Sequence, residues 1–222
     1  NSSTDNKGRK LSEEQIEFFE NSKVRDEDGK LLTVYHGTKS EFYTFNNNLS
    51  GDNYEGWSYS GKGFYFTDDI KEAQEFGDYS LGDNDTQIKE VYLNITNPFD
   101  TSTTDASVLE KLSEGYDVDK QALIRGDFLL RWFRSNKINA SEVLQKNGYD
   151  GVIDYGHYLA YDSNQIKEVT NKKPTLDDDI RYSLSSVDSE GKELSKEQVE
   201  FFEDSKVRDK QGRLLEVYHG SV

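Results

Sequence analysis

Three short segments interrupt otherwise apolar strand patterns with groups that can do chemistry. In "VYHGT" (34–38), His36 ends an apolar run beside Gly37, whose missing side chain permits close backbone approach to a ligand. In "GKGFYFTDD" (61–69), Gly61 and Gly63 flank Lys62, and Tyr65 alternates with Phe64 and Phe66. In "GYDGVIDYGHYLAYDSNQIKEV" (148–169), His157 stands at a tight bend between two strands, with Asp154 before it and Gln165 after it. A neutral imidazole accepts a hydrogen bond from a hydroxyl, whereas a protonated one brings positive charge. Taken singly, a His-Gly pair is more often a turn and a Tyr in an aromatic strand more often core. The Gly-Lys-Gly also lacks the GxxxxGK[ST] spacing of a phosphate-binding loop.

The elements that must position these groups follow from periodicity. Ser12, followed by Glu13, Glu14 and Gln15, opens a helix through a capping box, and "SEEQIEFFENS" puts Ile16, Phe18 and Phe19 on one apolar face. "VRDEDGKLLTVYHG" reads as strand, turn, strand about Asp28-Gly29. Residues 40–62 are polar and rich in Gly and Asn, an open loop. "GFYFT" is a short aromatic strand, and "DDIKEAQEFG" a helix capped by Asp68 or Asp69 and stopped at Gly77. "IKEVYLNITNPFD" alternates as a strand ended by Pro98. Helical segments fill 105–146, and "GVIDY", "YLAYD" and "QIKEV" close the unit as strands. Strands at both ends with helices between predict an α+β class, not alternating βαβ units.

A long internal repeat sets the organisation. "GRKLSEEQIEFFENSKVRDEDGKLLTVYHGT" (8–38) recurs as "GKELSKEQVEFFEDSKVRDKQGRLLEVYHGS" (191–221), ungapped at an offset of 183, with 21 of 31 positions identical. That period is the length of a domain and far beyond the roughly 20–50 residues of a solenoid repeat. The expected organisation is a polar leader (1–7), one complete unit (8–184), a linker (185–190) and the truncated start of a second tandem copy (191–222), which repeats the His-Gly as His219 and Gly220. The competing reading is that 191–222 closes the first unit's fold. The opening "NSSTDNKGRK" has neither Met nor an apolar signal-peptide stretch, and reads as a cut from something longer.

Composition bounds the partners. At 222 residues the chain is long enough for one well-buried domain, and although only 33% of residues are hydrophobic, 14 Tyr and 12 Phe supply an aromatic core. A formal charge of −16 disfavours non-specific binding to nucleic acid or to anionic membrane surfaces, while leaving room for a local pocket that takes a phosphate ligand. No run approaches the roughly 18 apolar residues of a membrane span. Zero cysteines exclude disulfides and thiolate metal sites, and three histidines spread along the chain argue against a metal cluster.

Taken in order, "YHGT", "GKGFYFTDDIKEAQEFG" and "YDGVI…YLAYDSNQIK" resemble the ADP-ribosyltransferase superfamily, in its His-Tyr-Glu branch that includes the poly(ADP-ribose) polymerases. The likeness is closest to the transferase domains of phage-encoded polyvalent proteins and bacterial toxin-like polyproteins, which "NPFD", "GYDGVI" and "PT…DIRYSL" also fit; it spans about 24–184. The resemblance implies a split mixed β-sandwich with a helical insertion and an NAD cleft between the sheets. The implied reaction is transfer of ADP-ribose from NAD, as substrate, to an acceptor with release of nicotinamide and no need for a metal. His36 matches the histidine that hydrogen-bonds the adenosine ribose, and Gly37 the backbone that holds the nicotinamide carboxamide. Thr38 sits where a Ser or Thr touches the ligand. Tyr65 matches the tyrosine packed on the nicotinamide and Phe76 a second stacking aromatic, consistent with a flat cationic ring held between aromatic faces. The acceptor is left open between a protein, a small molecule, water and nucleic acid, the last disfavoured by the acidic charge. The implied setting is a phage or mobile-element polyprotein in a bacterial host cytoplasm, with delivery in the virion and a tandem neighbour as further expectations.

At position 157 the chain departs from the pattern, because the branch carries a glutamate there whose charge favours the oxocarbenium-like state. Three readings stand: a working variant using neutral His157 with Asp154 or Gln165 nearby, a degraded NAD or ADP-ribose binder, or a shifted bend that admits another acidic residue. Glu168 lies too far downstream to substitute, and Gln165 is expected to shape the loop. A purely structural repeat with a vestigial pocket is the remaining alternative.

Overall fold

Ser12 caps the first helix, α1 (Glu13–Phe18), by accepting from the Gln15 amide while the Gln15 side chain accepts from the Ser12 amide, the reciprocal box expected from the sequence. The computed structural model describes residues 2–39, 42–45, 59–81, 86–181, 188–192, 194–202, 205–209 and 213–218. After α1 come β1 (Val34–Thr38), β2 (Phe64–Thr67), α2 (Ile70–Leu81), β3 (Gln87–Leu93) and β4 (Pro98–Asp100). Then follow α3 (Ala106–Leu112), α4 (Gly126–Ser135), α5 (Ala140–Lys146), β5 (Gly151–Asp154), β6 (His157–Ala160), β7 (Ile166–Glu168) and α6 (Lys196–Phe201).

The seven strands hydrogen-bond in the order β4-β5-β6-β2-β1-β3-β7, antiparallel throughout except for the β4–β5 pair. The class is α+β with a mixed sheet, as the sequence predicts. The division into two sheets takes a different form from the expected one, since the ladder runs through all seven strands. It nearly parts at one seam, where β1 and β2 share a single partner pair, Tyr35 with Thr67. On either side, β1 and β3 share five pairs and β2 and β6 share four.

Alternation distributes the side chains between two cores. Val34, Phe64, Phe66, Val91, Leu93, Tyr158, Ala160 and Ile166 line one face with Phe45 and Ile180. Val152 and Leu159 line the other and pack against the helical insertion, through Leu109 and Leu112 of α3, Leu129, Leu130 and Phe133 of α4, and Val143 and Leu144 of α5.

Three local expectations are corrected. Gly77 does not stop α2; it lies inside the helix, where a Cβ would stand 2.2 Å from the Thr86 methyl, so this glycine serves close packing. Pro98 opens β4 instead of ending β3, a tolerated place because it is the first residue of an edge strand. About Asp28-Gly29 the turn forms, with Gly29 N–H donating to Asp26 O at 2.9 Å. Its arms, joined by Asp26 N–H to Lys30 O at 2.9 Å and Leu32 N–H to Val24 O at 3.1 Å, pair as the isolated bridge Arg25–Leu31 and not as an extended hairpin ladder.

The first thirty-odd residues form a module seated on β3 and the β7 end. Phe19 meets Tyr92 edge-on at 5.6 Å, Lys23 N–H donates to Ile95 O at 2.8 Å, and Gln15 Nε2 donates to Asn171 O at 2.8 Å. The polar leader joins this seat. Asp5 is fully buried and accepts from the Tyr92 hydroxyl at 2.7 Å and from Arg9 Nε at 2.6 Å, and Arg9 also pairs with Glu90 at 2.7 Å. Although burial alone would raise the Asp5 pKa, the hydrogen bonds from Tyr92 and Arg9 hold it below the usual carboxylate value.

The described residues between 188 and 218 repeat several of that module's internal bonds. Asp188 and Lys192 reproduce the Asp5–Arg9 backbone turn, Gln198 and Ser195 the capping box, and Arg208 reaches the Ser205 and Phe202 carbonyls as Arg25 reaches those of Ser22 and Phe19. The copy's ring is covered less: Phe19 is 1% exposed and its counterpart Phe202 40%. Its contacts with the first unit include Lys206–Asp177 at 2.7 Å and Arg181 donating to Asp209 O at 3.4 Å. His219 and Gly220, the end of the predicted unit (182–184) and 185–187 of the predicted linker lie outside the described residues.

Candidate active site

The three motif-bearing segments fall on neighbouring strands. "VYHGT" is β1, "FYFT" is β2 and "HYLA" is β6, adjacent in the sheet as β6-β2-β1. Beyond Tyr35 the β1–β2 ladder stops, and the His36 side chain fills part of the gap. Its Nδ1 lies 2.8 Å from the Tyr65 carbonyl oxygen. A carbonyl only accepts, so Nδ1 carries the proton, and in the neutral ring Nε2 is an acceptor. Burial among Phe42, Phe45 and Phe66 pushes the His36 pKa below its ordinary value, and nearby Lys89 adds to the effect, so the ring is neutral. An acceptor nitrogen in an aromatic wall suits a ligand hydroxyl.

Tyr65 takes the other face. Phe66 packs on His36, while the Tyr65 ring joins the core over the helical insertion and its hydroxyl donates to the Gly61 carbonyl. His36 and Tyr65 therefore meet through one backbone carbonyl, not ring to ring. Gly37 lies under α2, since a Cβ there would stand 2.0 Å from the Ala73 carbonyl oxygen. Thr38 ends β1 opposite Gln87, and Phe76 is half-buried on α2, one residue before the helical glycine that also approaches Gly37.

His157 is placed by a tight hairpin. Tyr155 (φ 47°) and Gly156 (φ 89°) both occupy the left-handed region, as a two-residue turn with φ positive at both central positions requires, and Asp154 pairs with His157 across it. The next ladder sets Thr67 opposite His157. His157 Nδ1 faces the Asp154 carbonyl at 3.1 Å and Nε2 faces Glu72 Oε1 at 2.7 Å, while Glu72 Oε2 accepts from the Thr67 hydroxyl at 2.6 Å. Both ring nitrogens thus point at acceptors, so the ring bears both protons and forms an imidazolium–carboxylate pair. Partial burial opposes charging, but the hydrogen bond and charge of Glu72, and then the Asp154 carbonyl, raise the His157 pKa. Burial likewise opposes the Glu72 charge, and the bonds from Thr67 and His157 outweigh it and lower the Glu72 pKa.

Of the three readings for position 157, this geometry speaks against a neutral His157 assisted by the Asp154 carboxylate or by Gln165. The Asp154 carboxylate is taken by the Tyr59 hydroxyl and by the Thr101 hydroxyl at 2.5 Å. Gln165 accepts from the Tyr161 and Asp162 amides at 3.0 and 2.8 Å and donates to Asp150 O at 2.9 Å, so it holds the loop between β6 and β7. The residue that sequence reasoning missed is Glu72. It lies in the first turn of α2, five residues after Thr67, and only the pairing of β2 with β6 brings it to His157.

The pair has a pH signature. Its contribution from His157 is present below the ordinary histidine value of 6.5 and is lost as pH rises through the raised value. Its contribution from Glu72 is present above 4.5 and is lost as pH falls through the lowered value. NMR titration of the His157 ring is expected to give a midpoint above 6.5, which Glu72→Gln should lower. A midpoint unmoved by that substitution would show that the pair does not form.

Among the described residues, no group of three or more His, Cys, Asp or Glu side chains could hold a metal ion, and no helix is long and apolar enough to cross a membrane. A depression of ≈ 410 Å³ lined by Thr44, Leu176, Asp177, Asp178, Asp179 and Lys206 touches none of the candidate residues.

A family model described as "ADP-Ribosyltransferase in polyvalent proteins" matches residues 26–176, more than half of the chain. The chain belongs to this family. The match takes in β1 through β7, and with them His36, Tyr65, Glu72 and His157. No curated protein and no solved structure matches the chain. ADP-ribosyltransferases of this kind use NAD as substrate, and the family accordingly supports a transferase enzyme.

Proposed function

We propose that this family member binds NAD across the β1/β2 seam and transfers its ADP-ribose to an acceptor, releasing nicotinamide. The observation that carries the reading is the convergence of the three family-like segments on adjacent strands, where the ladder parts. On this reading the seam takes the place of the split sandwich's cleft, with His36 beside it. Neutral His36 accepts from the adenosine ribose through Nε2, the backbone edge at Gly37 holds the nicotinamide amide, and Tyr65 and Phe76 provide aromatic surface for the ring. Thr38 touches the ligand from the end of β1.

The acceptor is a protein side chain or a small molecule, a charge of −16 disfavouring nucleic acid. The setting is a phage-type, toxin-like polyprotein in a bacterial cytoplasm, carried with the virion, in which 191–222 begins a tandem neighbour. A second reading, an NAD or ADP-ribose binding module without turnover, is favoured by the imidazolium at position 157, which repels a ribosyl cation.

Thermal unfolding with millimolar NAD, alongside chromatography of released nicotinamide, tests both. A ligand at 100 times its Kd stabilises the native state by about 2.7 kcal/mol. His36→Ala is expected to weaken NAD binding roughly tenfold, the value of one buried hydrogen bond. Unchanged binding in that variant would overturn the assignment of the site, and binding without nicotinamide release would select the second reading.

A further inference from the structure

The reaction needs negative charge beside the ribose, and position 157 provides the opposite. Breaking the bond between the ribose C1′ and the ring nitrogen leaves the electron pair on nicotinamide, which departs neutral, and puts positive charge on the ribosyl group. The acceptor's lone pair then forms the new C1′ bond, and the acceptor loses a proton to solvent. A fixed carboxylate near the developing cation is the electrostatic requirement, as in glycoside hydrolysis. An imidazolium in its place would oppose the step, unless its charge were cancelled and a carboxylate offered from elsewhere.

The structure offers one. An imidazole Nε2 reaches about as far from its Cα as a glutamate carboxylate does, so His157 Nε2 marks where the absent carboxylate oxygens would sit. Glu72 Oε1 is 2.7 Å from that nitrogen. Two donors orient the Glu72 carboxylate, His157 Nε2 on one oxygen and the Thr67 hydroxyl on the other, and Thr67 is anchored in turn by its place opposite His157 in the ladder. The carboxylate is about one-third exposed, so it is held in place yet open to a ligand. The remaining lone pairs of its two oxygens can face a sugar.

Resting on the ADP-ribosyl transfer reading above, we infer that Glu72, held by His157 and Thr67, is the carboxylate that faces the ribosyl cation. Glu72 is then the catalytic residue and His157 a positioning residue. The charge required by the reaction has moved from strand β6 to helix α2, about one hydrogen-bond length away, and the histidine has become the group that aims it.

The test compares the full chain with Glu72→Gln and with the double variant Glu72→Gln/His157→Glu, reading the NAD-induced melting shift and the rate of nicotinamide release. Glu72→Gln should keep the melting shift and lose about 10²–10³-fold in release, the usual effect of removing one preorganised group. The double variant, which restores a carboxylate at 157, should recover release at least tenfold over Glu72→Gln. Release within threefold of the parent in Glu72→Gln, or a double variant no faster than the single one, overturns the inference and leaves the transferase reading in place. A parent that binds NAD but releases no nicotinamide overturns it in favour of the binding module. A parent with neither melting shift nor release sinks the NAD reading itself, and the inference with it.

Discussion

Gly37→Ala is expected to lower folding stability by about 3 kcal/mol or more, at the upper end of overpacking effects. The reason is steric. The new methyl would lie 2.0 Å from the Ala73 carbonyl oxygen, 3.0 Å from its carbon and 3.2 Å from the Gly77 nitrogen, all backbone atoms that no rotamer change can move. Relief requires α2 to withdraw from β1, and β1 cannot yield, because five partner pairs fix it to β3. Against a total stability of about 5–15 kcal/mol, that loss is large. Gly29→Ala is the control: there φ is 75° and nothing lies within 4 Å of the added methyl, so only the left-handed backbone is strained, for about 1 kcal/mol. Urea unfolding of the three proteins measures the difference as midpoint shifts at constant slope. Equal shifts for the two variants would mean that α2 does not rest on Gly37. Any loss of activity in Gly37→Ala is therefore to be read through its fold first.

The duplicated module yields the second large effect as a matched pair. Phe19→Ala should cost about 3–5 kcal/mol, the usual result for a fully buried Phe. Phe202→Ala should stay within about 0.5 kcal/mol. The two rings occupy equivalent sequence positions after equivalent capping boxes, and each packs edge-on against the preceding Phe at 4.9 Å. What differs is Tyr92, which covers Phe19, while among the described residues Phe202 stays 40% exposed. The same urea measurement reads both variants. A Phe202→Ala cost approaching that of Phe19→Ala would show that the second module has its own seat.

How far the sequence reaches is visible in particular residues. The Ser12–Gln15 box and the aromatic strand at Phe64–Thr67 depend on neighbours within a turn or two and form as their patterns predict. The helices α3, α4 and α5 fall within the predicted helical stretch, which extended Arg125 interrupts before α4. Gly77 and Pro98 were misleading because their local meanings, helix stop and strand end, were overruled by Thr86 and by an edge position in the sheet, both tertiary facts. His36 and Tyr65 were identifiable as a pair by resemblance, yet their placement on opposite sides of β2 follows from strand alternation and from the seam. Glu72 had no signal of its own. One more acidic residue in an acidic chain acquires meaning only when strand register sets Thr67 against His157. The protonation of His157 was equally hidden, because it depends on which acceptors each ring nitrogen meets.

The seam between β1 and β2 also sets how the molecule can deform. Five partner pairs on one side and four on the other make each half-sheet a stiff panel, and a single pair joins the panels. Lateral hydrogen bonding is therefore uneven: it is sparsest between the panels, which are held together by Tyr35 with Thr67, by the His36 Nδ1–Tyr65 O contact and by the seating of α2 on Gly37. A ligand spanning the join would act as a brace, adding cross-links where the ladder has fewest. Its binding would stiffen the whole sheet, and anything that loosens α2 would weaken its hold without touching a contact residue.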